Sequence, residues 1–65
     1  MEYTNSQIRA LINEHIHKAK HREILILRLV DGLTYQEIAD RTETSPRNVG
    51  YILAKEIARL SKYIK

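Results

Sequence analysis

Apolar residues recur along this chain at intervals of three and four, the spacing of one helix face, and do not alternate as strand residues do. Thr4 followed by Gln7 is a capping-box pattern, and Tyr3 and Ile8 flank it as a hydrophobic staple would. A first helix is therefore predicted over residues 4–20. Its apolar stripe comprises Ile8, Leu11, Ile12, Ile16 and Ala19.

The next segment, residues 24–30, is apolar almost all the way round a helix, which predicts a buried central helix. The change of phase from the first stripe predicts a break between Lys18 and Arg22. No residue there is a helix breaker, so one long helix over residues 4–31 stays open as the alternative. Gly32 supplies the left-handed conformation that commonly ends a helix.

The strongest local signal in the chain predicts a third helix. Thr34 is placed as its N-cap with Glu37 reaching back, and Leu33 and Ile38 form a second hydrophobic staple. The polar, turn-like run over residues 42–45 ends this helix soon after it has begun.

Ser45 is placed as the next N-cap, with Pro46 at the first helical position, where its missing N–H costs nothing. Ala39 is small enough for the third and fourth helices to approach closely. The sequence therefore predicts one all-α domain over residues 1–65, with four helices whose last two form a helix-turn-helix. The inner face of the long C-terminal helix comprises Val49, Ile52, Leu53, Ile57, Leu60 and Ile64.

Length and composition limit the size of the core, the cross-links and the location of this domain. The 65 residues leave room for one modest core, and the absence of Cys excludes a disulfide framework. No stretch approaches the roughly 20 apolar residues that cross a bilayer, so we expect a cytoplasmic protein without a membrane partner.

The net charge of +3 is unevenly distributed. Residues 46–65 hold five basic residues against Glu56 alone, whereas residues 1–45 hold six basic and seven acidic residues. This asymmetry is typical of a surface that binds phosphates, although a solvated basic helix has the same composition.

The outer face of the fourth helix carries four candidate base-reading residues, Arg47, Asn48, Tyr51 and Lys55. Arg can bond guanine and Asn can bond adenine, each in a bidentate manner. Backbone N–H groups beside Ser45 form a natural phosphate seat, and Thr34 with Tyr35 offers another. The tyrosines could equally pack across the helix pair, and Lys55 could be a solvated charge.

Residues 21–39 and 45–49 carry a family resemblance, whose specific part is the run from Arg22 to Ala39. They resemble the fourth conserved region of bacterial sigma factors and, less specifically, the LuxR-type effector domain and small phage-encoded regulators. The resemblance covers about residues 21–63. It implies binding to promoter DNA and contact with RNA polymerase.

By position, the resemblance implies base contacts by Arg47, Asn48 and Tyr51. It also implies phosphate contacts by Arg22, Thr34 and Tyr35. This chain departs from the family pattern at three positions. Glu43 stands where glycine is common, Thr44 where an apolar turn residue is usual, and Gly50 where a basic residue is frequent.

The leading hypothesis is a sequence-specific double-stranded DNA-binding regulator of transcription that reads the major groove with the helix beginning near Ser45. The alternative is a protein-interaction module that docks on RNA polymerase or another regulator without specific DNA binding. Gly50 keeps this alternative open because it removes one expected contact. The first helix either packs on the core or pairs with a second copy, since symmetric DNA half-sites require a dimer.

Other chemistry has weaker support in the sequence. His17 and His21 lie on one helix face, but Glu14 is the one further residue in register that could bind a metal ion with them. Because a zinc site needs at least three protein ligands, we expect these histidines to be solvated and not to bind zinc. Arg28 is expected to pair with Asp31 or Glu37 inside the fold. No serine is matched with a base and no glycine-rich phosphate loop occurs, so neither catalysis nor a cofactor is predicted.

Overall fold

The computed structural model describes residues 3–63, which form four helices. These are α1 (Asn5–His15), α2 (Ala19–Leu29), α3 (Tyr35–Thr42) and α4 (Pro46–Leu60). Within residues 3–63 there is no strand, so the predicted all-α class with four helices is confirmed. No helix of this range is long and apolar enough to cross a membrane. Ile64, predicted on the inner face of the last helix, lies outside the described residues.

All three predicted N-caps are present. The side chain of Thr4 accepts a hydrogen bond from the backbone N–H three residues on at 3.2 Å, and those of Thr34 and Ser45 accept the equivalent bond at 3.1 Å. In return, the side-chain oxygens of Gln7 and Glu37 accept a hydrogen bond from the backbone N–H of Thr4 and Thr34 at 2.8 and 2.9 Å, which completes two capping boxes. Each cap stabilises a helix by about 1 kcal/mol, so local sequence fixes where these helices begin.

The first helix is shorter than the prediction of residues 4–20. α1 ends at His15, and α2 begins at Ala19 with Lys18 as its N-cap. Ile16 lies between them with extended backbone (φ −106°, ψ 118°) and is fully buried. The break therefore precedes the predicted one, and Ala19 is exposed on α2 instead of continuing the α1 stripe. The break contains neither Gly nor Pro and coincides with the fully buried, extended Ile16.

The core forms where α4 packs on α2 and α3, and α1 closes it from one side. Ile12 and Ile16 of the α1 segment are fully buried, which assigns α1 to the core of its own chain. Leu29 and Ile57, both expected inside, are 39% and 41% exposed because they lie at the edge of an apolar groove. The buried apolar residues are Ile12, Ile16, Ile24, Leu25, Leu27, Ile38, Ala39, Val49, Ile52, Leu53 and Leu60.

The connection from α2 to α3 turns at Gly32, as predicted. Gly32 has φ 71°, the left-handed region that glycine enters without penalty. The following residue, Leu33, donates its N–H to the carbonyl of Leu27 at 3.0 Å and packs against the core. The start of α3 is thereby held against the end of α2.

Candidate nucleic-acid interface

A short turn joins α3 to α4 and sets the two helices against each other. Glu43 ends α3 in the left-handed conformation (φ 55°, ψ 47°), and the Thr44 N–H donates to the carbonyl of Ala39 at 3.0 Å. Ala39 is 1% exposed and Val49 is fully buried, so both helices contribute small or branched side chains to the core at this crossing. The chain thus has the helix-turn-helix arrangement.

The outer face of α4 presents the predicted base-reading residues to solvent. Arg47, Tyr51 and Lys55 are exposed, Tyr51 to 68%, and none of them has a hydrogen bond or ion pair with another side chain in residues 3–63. The steps of four residues between them keep all three side chains on one side of the helix. Their polar groups are therefore available to a ligand.

Asn48 is exposed at the start of α4 but is tied to the turn. Its Nδ2 donates to Thr44 Oγ1 at 2.8 Å. One amide hydrogen and the Oδ1 acceptor remain for an external partner, which is the pair of groups that adenine recognition uses. Thr44, which departs from the sigma pattern, fixes the side chain of Asn48.

Tyr35 at the start of α3 lies over Gly50 of α4. A Cβ placed on Gly50 would be 3.3 Å from Cε2 of the Tyr35 ring, so a side chain at this position would displace the ring. Arg28 lies on the same ring, with its guanidinium carbon 5.1 Å from the ring centroid, and its Nη1 donates to the Leu33 carbonyl at 2.9 Å. No ion pair of Arg28 with an acid occurs in residues 3–63, so its predicted pairing with Asp31 or Glu37 is wrong.

The side chain of Glu37 belongs to the capping box at the start of α3. Its carboxylate accepts the Thr34 N–H at 2.9 Å, and this backbone bond, with the Thr34 hydroxyl, lowers the pKa of Glu37. One oxygen of Glu37, Oε1, is therefore engaged by the cap. It also places a negative group beside Thr34, where a phosphate contact is predicted.

Arg22 and Ser45, the remaining predicted phosphate residues, occupy different surroundings. Arg22 is half-buried in the first half of α2. Ser45 is exposed at the start of α4, where its Oγ accepts the Asn48 N–H and its hydroxyl hydrogen can still be donated. The structure thus brings Ser45 next to the base-reading residues and leaves Arg22 on a separate helix.

A buried carboxylate that the sequence analysis missed holds α4 to α2. Glu56 is 5% exposed, and its two oxygens contact His21 Nδ1 at 2.7 Å and Arg59 Nε at 3.0 Å. Burial raises the pKa of Glu56, but the bond from His21 and the charge of Arg59 outweigh it, so the net shift is downward. Its position within the apolar stripe, four residues after Ile52, is the signal that could have revealed it.

The other histidines have surroundings of their own. His15 stacks on Tyr63 with ring centroids 3.7 Å apart, and His17 is exposed. Among the residues that the structure describes, no three His, Asp or Glu side chains come together in a manner suited to a metal ion.

Comparison with known proteins agrees with this geometry. The family model of sigma-70, region 4 matches residues 18–60, which contain α2, the helix-turn-helix and the whole of α4. Neither a curated protein nor a solved structure gives a significant match. The matched family is a DNA-binding and regulatory module and not an enzyme family. Because the match extends over more than half of its residues, the chain belongs to the sigma-70 region 4 family of helix-turn-helix domains.

Proposed function

We propose that this domain is a sequence-specific regulator of transcription that binds double-stranded DNA and reads the major groove with α4. The observation that carries the proposal is the exposed stripe of Arg47, Tyr51 and Lys55 on a helix capped at Ser45. From Arg47 to Lys55 the stripe is about 12 Å long at the helical rise of 1.5 Å per residue. This length is similar to the width of the major groove, which is about 12 Å.

The side chains of α4 suit distinct contacts within that groove. Arg47 forks onto guanine, and Asn48 bonds adenine through the amide groups that Thr44 leaves available. Tyr51 contacts a thymine methyl group or a phosphate. Lys55, two turns beyond Arg47, reaches the far edge of the groove. The residues proposed to contact phosphates are Arg22, Thr34, Tyr35 and Ser45.

Binding of this kind has a strong electrostatic component, because each neutralised phosphate releases condensed counterions. We propose a cytoplasmic location for this domain, as for a transcription regulator of the sigma-factor type.

Selection from random duplexes tests the proposal without assuming a target. Bound duplexes are enriched over several rounds, and fluorescence anisotropy then compares the enriched duplex with an unrelated one over a range of salt concentrations. We expect a defined sequence motif and an affinity that falls steeply with salt. Absence of binding to any duplex at low salt would overturn the proposal.

A second function, docking on RNA polymerase or another regulator, has its own structural support. An apolar groove of about 360 Å³ is lined by Tyr3, Ile8, Leu11, Leu29, Ile57 and Leu60. Leu60 follows Tyr51 by nine residues, which turns it by about 180° round α4. The groove and the proposed DNA face therefore point in opposite directions and could be occupied together.

A pull-down separates the two functions. The double variant Arg47→Ala, Asn48→Ala should lose specific DNA binding and still retain polymerase if the groove is the docking surface, whereas Ile57→Asp should lose polymerase alone.

A homodimer through α1 would also have to use the groove side of that helix, because Ile12 is fully buried in the chain's own core. Sedimentation at micromolar concentration tests that possibility.

A further inference from the structure

A basic recess lies where the end of α1 meets the last turns of α4, beyond the proposed DNA face. Its volume is about 500 Å³, which is within the usual size range of small-molecule sites. It shares Lys55 with the proposed base-reading stripe, but much of it lies outside residues 18–60, which the family model matches. The residues that carry its chemistry are His15, His17, Lys55, Arg59, Lys62 and Tyr63.

The recess is positively charged because its cations outnumber its carboxylates. Lys55 and Lys62 are exposed, and neither forms an ion pair with another side chain in residues 3–63. Glu14 is the one carboxylate among the described residues that line it. Two lysines and Arg59 therefore face one glutamate, which favours an anionic ligand.

The buried carboxylate of Glu56 fixes Arg59 at the wall of the recess. Glu56 Oε1 accepts from Arg59 Nε at 3.0 Å, and its other oxygen is bonded to His21. Both Nη groups of Arg59 have no hydrogen-bond partner in residues 3–63, and the side chain is 49% exposed. A guanidinium that is oriented at Nε and open at its fork matches two oxygens of a phosphate. Glu56 thus holds in place a group that suits phosphate recognition.

An aromatic surface forms another wall of the recess. Tyr63 stacks on His15, with ring centroids 3.7 Å apart and an interplanar angle of 6°. His15 covers one face of the Tyr63 ring, and Tyr63 is still 50% exposed, so the other face of the ring is open. Nucleobases of any identity stack on open aromatic faces. Cations beside such a face suit a ligand that joins phosphates to a base.

We propose that the basic recess binds a nucleotide that carries two or more phosphates. The phosphates contact Lys55, Arg59 and Lys62, and the base stacks on the open face of Tyr63. A duplex is less well suited to this site, because its bases are stacked inside the double helix and cannot use the tyrosine. The site is separate from the proposed reading of DNA by α4 and does not depend on it.

Isothermal titration calorimetry with ADP, inorganic pyrophosphate and adenosine tests the proposal on the full chain. We expect ADP to bind most tightly, pyrophosphate to bind more weakly because it lacks a base, and adenosine to give no measurable binding. The affinity for ADP should fall as salt is added, because exposed charges are screened. ADP binding no tighter than that of adenosine would overturn the proposal. So would binding of a single-stranded oligonucleotide or a duplex at the recess without binding of ADP.

Two variants separate the contributions of the base and the phosphates. Tyr63→Leu removes the aromatic face and should weaken ADP binding by about 5-fold or more, while pyrophosphate binding stays unchanged. Lys62→Gln should weaken the binding of both ligands by about 2-fold to 5-fold. Lys20→Gln is the matched control and should change neither affinity, because Lys20 is also exposed but lies on α2, outside the recess.

Thermal unfolding checks that the variants fold. If Tyr63→Leu does not fold, the ring protons of His15 are followed by NMR in the wild-type protein, and we expect them to shift as ADP is added. Unshifted His15 resonances at saturating ADP would contradict the proposed site. Equal losses of ADP and pyrophosphate affinity in Tyr63→Leu would contradict base stacking, and equal losses in Lys20→Gln and Lys62→Gln would show attraction to the net charge and not to the recess.

Discussion

Replacing Glu43 by glycine should stabilise the domain, because the turn before α4 forces this residue into a left-handed conformation. Glu43 has φ 55° and ψ 47°, and it is the one non-glycine residue with positive φ in residues 3–63. Its side chain has no hydrogen bond or ion pair in that range that would compensate for the strained backbone.

The magnitude follows from two opposing terms. An L-residue in this conformation costs about 1 to 2 kcal/mol, and glycine avoids that cost. Glycine in turn loses about 0.5 to 1 kcal/mol more chain entropy on folding. The net gain in the free energy of unfolding should be between about 0 and 1.5 kcal/mol, with a midpoint of about 0.75 kcal/mol, which raises the Tm of so small a domain by about 3 to 6 °C.

Circular dichroism during thermal and urea unfolding measures the effect, and Glu43→Ala is the matched control. Alanine removes the same charge from the end of α3 but keeps the Cβ, so it should not reproduce the gain. Equal stabilisation by both variants would attribute the effect to the charge near the helix end. A lower Tm for Glu43→Gly would refute the reasoning about the backbone.

Two further predictions concern the contacts that hold α4. Glu56→Ala should cost about 1 to 3 kcal/mol in urea unfolding at neutral pH, because His21 and Arg59 lose their shared acceptor. Because the pKa of Glu56 is lowered, its contribution to stability is present above its ordinary pKa and is lost as pH falls through the lowered pKa. The difference in unfolding free energy between wild type and Glu56→Ala should therefore shrink in acid, and a larger difference in acid would contradict this reasoning. Thr44→Val keeps the shape of the side chain but removes the hydroxyl that accepts from Asn48, so the base preference measured by duplex selection should relax at one position. Thr44→Ser keeps the hydroxyl and should preserve the preference. The same base preference in wild type, Thr44→Val and Thr44→Ser would count against a positioning role for Thr44.

Local signals made most of the helix starts predictable from the sequence. A cap depends on a few neighbouring residues, so Thr4, Thr34 and Ser45 could be assigned without knowledge of the tertiary structure. Gly32 was predictable for the same reason, because left-handed backbone selects glycine.

The break after α1 depends on packing and was therefore misplaced. Neither Gly nor Pro lies near Ile16, and the extended backbone there coincides with its burial in the completed core. The pairing of Glu56 with His21 spans 35 residues, a separation that no local pattern records.

In the candidate site too, features set by local sequence were predictable and features set by tertiary packing were not. The outward direction of Arg47, Tyr51 and Lys55 follows from the helical period and is present in the structure. The stacking of Arg28 on Tyr35 depends on how α2 and α3 meet α4, so the sequence assigned Arg28 to an ion pair that does not form.

Base reading by α4 is tested most directly by the affinity of Arg47→Ala for the selected duplex. Arg47 has no intramolecular polar partner in residues 3–63, so its loss should leave the fold intact and weaken specific binding by about 1 to 3 kcal/mol, or about 5-fold to 150-fold. Binding to an unrelated duplex should weaken far less. Equal losses on both duplexes, or unchanged affinity for the selected one, would contradict base reading by α4.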